Sequence, residues 1–514
     1  MIVRKGPRKW RNIHTTFEAN LEEMMDLDNS SPSGRLSGME FFKQAAKDID
    51  ALIQEAKAKG KKIRALGSAW ALTDIHLTDK WMLNTKLLNQ IFDLSDRNFH
   101  DSYPVEKRPY ILLAQCGVSV AELNKRLETN EQGIKRALRT AGIGAGQTIV
   151  GAVSGNTHGA AVNFGAMPEF VRGIQLVNGT GQSIWIERES EPIVNDRFIT
   201  NLDAKLIRND DIFNSALVSF GAYGVITALA IETEPIYHIK FPPMQDISFT
   251  NLKQKLNNMD YNDPSNLHHF EFIFNPYDEE EQAVLVIGTK EDYIPGHVGP
   301  DPLWIITDEQ GYAPGDKTPP FLLRLPFLSA AWKSKFQYKE YKKNSILSDV
   351  RGSSGQLYTA TITYLEGYSE SAIAVGIEDA ARMIEIIVEV VKEQKLPSIC
   401  QARVVKASRA TFGFTYLGSR SVVFEFALVN DGKFAQFENK LVSKLKQESI
   451  KYTFHWSKNS GISKERLFDM YGVERVQKWK AARRSLFNND KELMAVFDND
   501  HIKRAELDVD SGVA

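Results

Sequence analysis

Arg64-Ala65-Leu66-Gly67-Ser68-Ala69-Trp70-Ala71-Leu72 and Gly151-Ala152-Val153-Ser154-Gly155-Asn156-Thr157-His158-Gly159 are the two stretches on which the reading of this chain turns. The first ends a predicted strand, Lys62 to Leu66, and the second lies in a run rich in Gly and Ala. Small residues let backbone N–H groups come close to a ligand, and successive N–H groups form concavities that bind anions. One such loop says little. Two in the N-terminal half, each followed by β-patterned sequence, point to a site that holds a diphosphate between them.

Around these loops the pattern is α+β. Ser37-Gly38-Met39-Glu40 has capping-box spacing and precedes an apolar stripe at Phe41, Phe42, Ala45, Ala46, Ile49, Leu52, Ile53 and Ala56, with Gly60 as the stop. A strand at Tyr110–Ala114 leads to a second capping box, Ser119-Val120-Ala121-Glu122. Strands are predicted near Val171–Val177, Ser183–Glu187 and Val225–Glu232. Gly142-Ile143-Gly144-Ala145-Gly146 imitates a dinucleotide fingerprint, which also needs a following helix and an acidic residue about 20 positions on. Gln147-Thr148-Ile149-Val150-Gly151 carries no helical period, so this run reads as a flexible glycine loop.

From about Pro235 the texture changes. Residues 237–300 alternate apolar and polar with few helix signals, and residues 293–325 read as a Pro/Gly-rich loop or insertion. A strand near Gln356–Leu365, a helix from Glu378 to Lys395, strands at Cys400–Lys406 and Ser421–Leu428, and a helix near Lys433–Gln447 suggest an antiparallel sheet covered on one face. Gln401 and Arg403 share one face of their strand. Glu425 is a carboxylate inside an apolar strand and needs a partner, for which Arg403 is the natural choice. In Phe454-His455-Trp456-Ser457-Lys458, a strand would put His455 and Ser457 on one side and Trp456 and Lys458 on the other. Lys458 is a candidate for stabilising a developing anion, with a solvated lysine as the plain alternative.

Composition narrows the class. At 514 residues, 43% hydrophobic and 25% charged, the chain is an ordinary globular protein of two or three domains. Lys+Arg 63 against Asp+Glu 65 gives a net charge of −2, so no basic field favours nucleic acid or an anionic membrane. No apolar run has membrane-spanning length and Met1–Pro7 has no apolar signal core, so a cytoplasmic protein is expected. Two distant cysteines, Cys116 and Cys400, exclude a zinc-ribbon type of site, and no metal is expected.

Taken in order, several segments resemble the flavin-linked oxidases of the vanillyl-alcohol oxidase type, with their PCMH-type FAD-binding domain, and most closely the sugar-alcohol and aldonolactone oxidase branch. They are Trp10-Arg11-Asn12, Arg64–Asp74, Gln115-Cys116-Gly117-Val118 with Glu122-Leu123-Asn124, Gln147–Gly159, Phe220–Thr227 and His455-Trp456-Ser457-Lys458. The resemblance implies a two-subdomain FAD-binding domain over residues 1–235, a cap or substrate domain over 236–447, and a C-terminal segment, 448–514, that returns to the FAD domain. It implies FAD contacts from Ala65, Leu66, Gly67, Ser68, Ala69, Trp70, Ala71, Gln147, Gly151, Ser154, Gly155, Thr157, His158, Gly224, Val225, Lys458 and Asn499. Lys458, His455, Arg403, Gln401 and Glu425 are the implied catalytic group.

The resemblance implies oxidation of an alcohol-type CH–OH donor, a small molecule, by hydride transfer to the flavin N5. Oxygen or another oxidant would then take the electrons. Two departures qualify it. Relatives carry Gly-His-Ser, with the His bonded to the flavin, where this chain has Ala69-Trp70-Ala71, so FAD is expected to be non-covalent and the enzyme a milder oxidant or a dehydrogenase. The sugar-alcohol branch carries Glu-x-Arg where this chain has Gln401-Ala402-Arg403, which leaves Glu425 and His455 as candidate proton acceptors. The alternative is an FAD-binding protein of the same fold that catalyses a non-oxidase reaction, such as a cyclisation, or serves as a ligand-binding scaffold. The apolar run Leu322–Leu328 hints at a ligand bulkier than a sugar, and core packing explains it equally well.

Overall fold

The computed structural model describes residues 2–510 except 31–35, 37, 131–132, 143, 259–265, 281, 301–322, 324, 326, 359–367 and 430–433. Most of the expected 293–325 loop and part of the Leu322–Leu328 run therefore lie outside the described residues.

The N-terminal half holds two sheets. In the four-stranded sheet, Glu23–Asp28 and Ile63–Leu66 flank Trp81–Leu87 in parallel, and Ile2–Arg4 adds an antiparallel edge. In the six-stranded sheet, Val171–Val177, Ser183–Glu187, Val225–Glu232 and Ile111–Gln115 form the buried centre. Their Val- and Ile-rich runs suit strands covered on both faces. Helix Glu40–Ala58 packs its apolar stripe between the two sheets, with Ile49 and Ile53 in one core alongside Leu83, Val177 and Val225. It ends as expected, with Gly60 at φ +60°. Its start differs: Met39 is the N-cap with no side-chain bond, and Ser37 lies outside the described residues. The Ser119–Glu122 capping box is fully formed.

The second sheet system is a nine-stranded antiparallel sheet among the described residues. Its central order is Gln282–Asp292, Leu267–Phe274, Cys400–Lys406, Arg420–Val429, Tyr368–Gly376 and Tyr452–Phe454. Helices Phe249–Asn257, Ala380–Gln394 and Phe434–Gln447 cover one face through Leu252, Met383, Ile387 and Leu441, which share a core with Phe272 and Phe424. The cap sheet covered by helices is thus present. Two expectations fail locally. Residues 354–358 form a short helix where a strand from Gln356 was expected, and the rest of that strand, 359–365, lies outside the described residues. Helix Phe249–Asn257 interrupts the region read as alternating, because Ser248 caps it and three spaced apolar residues give it a buried face.

After residue 448 the chain stays with the second sheet before residues further on reach the first half. Tyr452–Phe454 still pairs with Tyr368–Gly376 in the cap sheet. Phe487, Leu493, Met494 and Phe497 then pack into the core of helix Glu40–Ala58.

Candidate active site

Strand register decides which side chains meet. Glu271 lies opposite Arg403, and Gln401 lies directly opposite Glu425, which lies opposite Ala372. Successive residues alternate between faces, so His269, Glu271, Gln401, Arg403, Glu425 and Glu370 all project from the sheet face away from the helices. His455 follows the edge strand and donates its backbone N–H to the Ala372 carbonyl at 3.0 Å, which brings it to the same face.

The two loops meet this face. Helix Ile149–Ser154, N-capped by the Thr148 side chain, does follow the glycine run, contrary to the sequence expectation. A Cβ on Gly67 would lie 2.2 Å from Thr148 Oγ1, so only glycine lets the first loop seat against the second. Gly155 does the same for the turn behind it, where a Cβ would lie 2.3 Å from Ser457 Oγ. Leu72 donates its backbone N–H to the Ser457 carbonyl at 2.7 Å, and Thr73 Oγ1 donates to the Trp456 carbonyl at 3.1 Å. From the N-terminal strap, Asn12 Nδ2 donates to the Ala71 carbonyl at 3.0 Å.

Loops, sheet face and turn enclose one cavity of about 580 Å³. Residues 65–71, Gln147, Gly151, Ser154, Gly155, Thr157, His158 and Gly224 line it on the loop side. Gln401, Arg403, Glu425, His455 and Lys458 line it on the sheet side. Two expected contacts lie elsewhere. Val225 packs in the core with Val177, and Asn499 caps Asp500–Arg504 while its Nδ2 donates to the Ile75 and Leu77 carbonyls, each at 3.1 Å. Sequence reasoning missed His14, His76 and Glu370, which also line the cavity.

Residues 455–458 form a turn, not a strand: the Lys458 N–H donates to the His455 carbonyl at 3.2 Å. The expected alternation is lost, and both His455 and Lys458 reach the cavity. Trp456 instead packs among Phe220, Phe412 and Tyr471.

The charges on the sheet side are paired. Arg403 Nε donates to Glu271 Oε2 at 3.0 Å, and its NH1 lies 2.9 Å from Glu425 Oε2. Lys458 Nζ donates to both Glu370 Oε1 and Glu425 Oε1. His158 Nε2 sits 3.6 Å from Glu425 Oε1. Burial disfavours charge on Glu425, but Arg403 and Lys458 overcome it and hold the carboxyl well below the usual range. Glu271 is likewise held at about 2 against its burial, by Arg403 and His269. Burial also disfavours the Lys458 ammonium, yet Glu370 and Glu425 keep it above its ordinary value. Burial, with Lys458 and His158 nearby, pushes His455 well below its ordinary value.

The loop side is different. His76 Nε2, Trp70 Nε1 and Gln147 Oε1 are buried polar atoms with no hydrogen-bond partner among the described residues. All three residues line the cavity. Buried polar atoms are normally paired, so these suit a polar ligand held between the loops. Trp70 also explains the glycine run: a Cβ on Gly146 would lie 2.6 Å from Trp70 Cζ2, so the glycines make room for the indole. The small-residue loops, the unpartnered polar atoms and the cavity's size fit a dinucleotide cofactor with a diphosphate. Among the described residues no His/Cys/Asp/Glu cluster fits a metal, both cysteines are free and buried, and no helix is long and apolar enough to cross a membrane.

Comparison with known proteins agrees with this reading. Residues 42–187 match the FAD binding domain family. D-arabinono-1,4-lactone oxidase of Candida albicans is 27% identical over 224 residues, 43% of this chain and 35% of that protein. L-gulono-1,4-lactone dehydrogenase of Mycobacterium tuberculosis is 25% identical over 226 residues, 44% of this chain and 43% of that protein. The match thus spans about a third of the first relative's length, 35%, and less than half of the second's, 43%. Among solved structures, cholesterol oxidase from B. sterolicum shares the fold over 98% of this chain and 97% of its own, with a TM-score of 0.67 at 14% identity. 6-Hydroxy-D-nicotine oxidase from Arthrobacter nicotinovorans does so over 95% and 92%, with a TM-score of 0.56 at 12% identity. The chain therefore carries an FAD binding domain of the kind found in aldonolactone oxidases and dehydrogenases, with FAD as its cofactor.

Proposed function

We propose that this protein oxidises a CH–OH donor with non-covalently bound FAD, passing the electrons to oxygen or another oxidant. The observation that carries the reading is that Lys458, Arg403, Gln401 and Glu425 project into the same cavity as the two small-residue loops. FAD supplies a two-electron acceptor for the donor's C–H hydrogen. The protein supplies placement and charge. The Lys458 ammonium lines the cavity and would offset negative charge that develops there, since an ammonium aimed at such charge in a water-poor site stabilises it strongly. Glu271 takes a hydrogen bond from Gln401 Nε2 at 2.7 Å, which turns the Gln401 amide oxygen away from Glu271 as an acceptor for a donor hydroxyl.

Non-covalent attachment is supported by Trp70, whose indole is not the nucleophile that a histidine imidazole is. The carboxylate that the related branch carries at position 401 has a counterpart directly across the ladder, at Glu425. Candidate donors are neutral polyhydroxy compounds, with D-arabinono-1,4-lactone and L-gulono-1,4-lactone first in the screen. Anaerobic addition of a true donor bleaches the flavin absorbance, whereas a scaffold or a cyclase keeps its flavin oxidised. Acid or heat releases the flavin from the polypeptide; flavin retained on denatured protein would overturn the non-covalent reading.

A further inference from the structure

Oxidation of a CH–OH donor needs a group to take the hydroxyl proton, and the chemistry of the cavity wall eliminates most candidates. Arg403 and Lys458 are cations held charged by carboxylates on both sides. Both oxygens of Glu425 face cations, Lys458 by a hydrogen bond at Oε1 and Arg403 as an ion pair without a hydrogen bond at Oε2, and its side chain is only 5% exposed, so its proton would have no way out to water. His455 Nδ1 accepts the Ser457 backbone N–H at 3.0 Å, so the neutral ring carries its hydrogen on Nε2 and presents a donor, not a lone pair. His158 Nδ1 lies 3.0 Å from the Gly159 carbonyl oxygen and its Nε2 faces Glu425, so neither nitrogen is left for a donor.

On the sheet wall Glu370 is what remains; His14 and His76 stand on the opposite, loop wall. Register puts it on the cavity face one step beyond Ala372, and it lines the cavity. Its Oε1 accepts from Lys458, and its Oε2 has no hydrogen bond among the described residues. Its side chain is 27% exposed, against 5% for Glu425, so of the two carboxylates on Lys458 it is the one open to water.

We propose that the Glu370 carboxylate, through Oε2, takes the hydroxyl proton of the donor while Lys458 holds Oε1. This rests on the oxidation reading above. The donor's O–H and C–H bonds break and a C=O bond forms. The C–H hydrogen leaves with its electron pair to FAD, and the hydroxyl proton passes to Glu370 and from there to water. Lys458 serves as the fixed charge that joins the two carboxylates: Glu425 anchors it in the wall and Glu370 works beside it.

The test uses the flavin-loaded protein with whichever of D-arabinono-1,4-lactone, L-gulono-1,4-lactone or D-sorbitol bleaches the wild type. Glu370→Gln keeps its flavin content and its thermal midpoint, and flavin reduction slows about 10²-fold or more, as for loss of a general base. In Glu370→Ala, added formate restores part of the rate, which a purely structural role does not permit. Equilibrium binding of 1,4-anhydrosorbitol stays within a few-fold of wild type in the Gln variant. Unchanged reduction in Glu370→Gln, or formate without effect on a slowed Glu370→Ala, overturns the role of Glu370 and leaves the oxidation reading standing. A wild type that no donor bleaches overturns both.

Discussion

The two walls of the cavity satisfy their polar groups in opposite ways. On the loop wall, His76 Nε2, Trp70 Nε1 and Gln147 Oε1 have no hydrogen-bond partner among the described residues, and the shape comes from backbone and glycine. On the sheet wall, Arg403, Lys458, Glu271, Glu370 and Glu425 are joined to one another across four strands and a turn. The loop wall is complementary to something outside the chain, and the sheet wall is complementary to itself. Under the proposed function, the first would govern whether a cofactor stays, and the second where charge stands when a donor reacts. Changes at Arg403, Glu271 or Glu425, the buried members of the sheet wall, should cost folding stability directly, while changes in the loop wall should be felt first in FAD binding.

The largest expected effect breaks the sheet wall. Arg403→Met leaves Glu271 and Glu425 buried without their shared cation, and removal of one partner from a buried pair costs about 3–5 kcal/mol. Thermal or urea unfolding should show this loss, with the double variant Arg403→Met/Glu425→Gln recovering part of it. Equal stability of the single variant and wild type would mean the network is ornamental. Next in size is Gly67→Val on the loop wall. Thr148 Oγ1 cannot swing away without giving up its cap on Gly151 N at 3.3 Å, so the two loops must part. Overpacking of this kind costs about 1–3 kcal/mol, or about tenfold to a hundredfold in FAD affinity if it falls on the bound state. The checks are flavin content on purification and FAD titration of the apoprotein.

Acidification should separate the walls in time. Burial lowers His14 and His76 from 6.5 to about 4, with Arg64 adding to the effect at His76. The unfolded chain binds these protons first, so the loop wall loses stability as pH falls from about 6.5 towards 4. His455 and His268, also lowered by burial, contribute in the same direction. Glu271 and Glu425 have depressed folded values, so their contribution is full above about 4.5 and is lost as pH falls towards 2. Thermal midpoints against pH should show both windows. His76→Gln should shrink the upper one and Glu271→Gln the lower; an upper window unmoved by His76→Gln would detach it from the loop wall.

The same contrast explains what the sequence disclosed. Strands at Val171–Val177, Ser183–Glu187, Val225–Glu232 and Cys400–Lys406 stand where the apolar runs placed them, because buried strands announce themselves locally. Gly67, Gly155 and their neighbours were legible as a site because small residues in polar loops are a local signal. Glu271 and Glu370 were not. A carboxylate on a strand shows its role only through register: His269 is two residues from Glu271, but the cavity-lining partners of Glu271 lie 132 residues away at Arg403 and 130 at Gln401. The His455–Lys458 turn was hidden for a similar reason: the strand ends where Ser457 meets Gly155 and Leu72, contacts that no local pattern contains. His14 and His76 are isolated histidines in sequence and become one wall only when the N-terminal strap crosses the first loop. There Trp10 stands edge-on to His76 and His14 edge-on to Trp70.

The smallest effect tests the contrast most finely. Ala69 holds a left-handed backbone conformation, φ +56°, at the bend of the first loop, and its carbonyl accepts the Ile13 N–H at 3.2 Å. That conformation costs an L-residue roughly 1–2 kcal/mol, which glycine does not incur. Against it, Ala69→Gly raises the freedom of the unfolded chain by about 0.4–1 kcal/mol. It also removes one methyl, worth about 0.8 kcal/mol when fully buried and less here, where Ala69 is only partly packed against Leu66 and Met82. The terms nearly cancel, so Ala69→Gly should shift stability by less than about 1 kcal/mol and retain FAD. Ala69→Val meets the same bend with a β-branched side chain that strongly resists positive φ, and should lose both stability and flavin. A wall shaped by backbone must rank these variants with Gly equal to or above Ala, and Val well below. If Val were tolerated as well as Gly, the loop wall would owe its shape to side-chain packing after all, and would differ from the sheet wall only in charge.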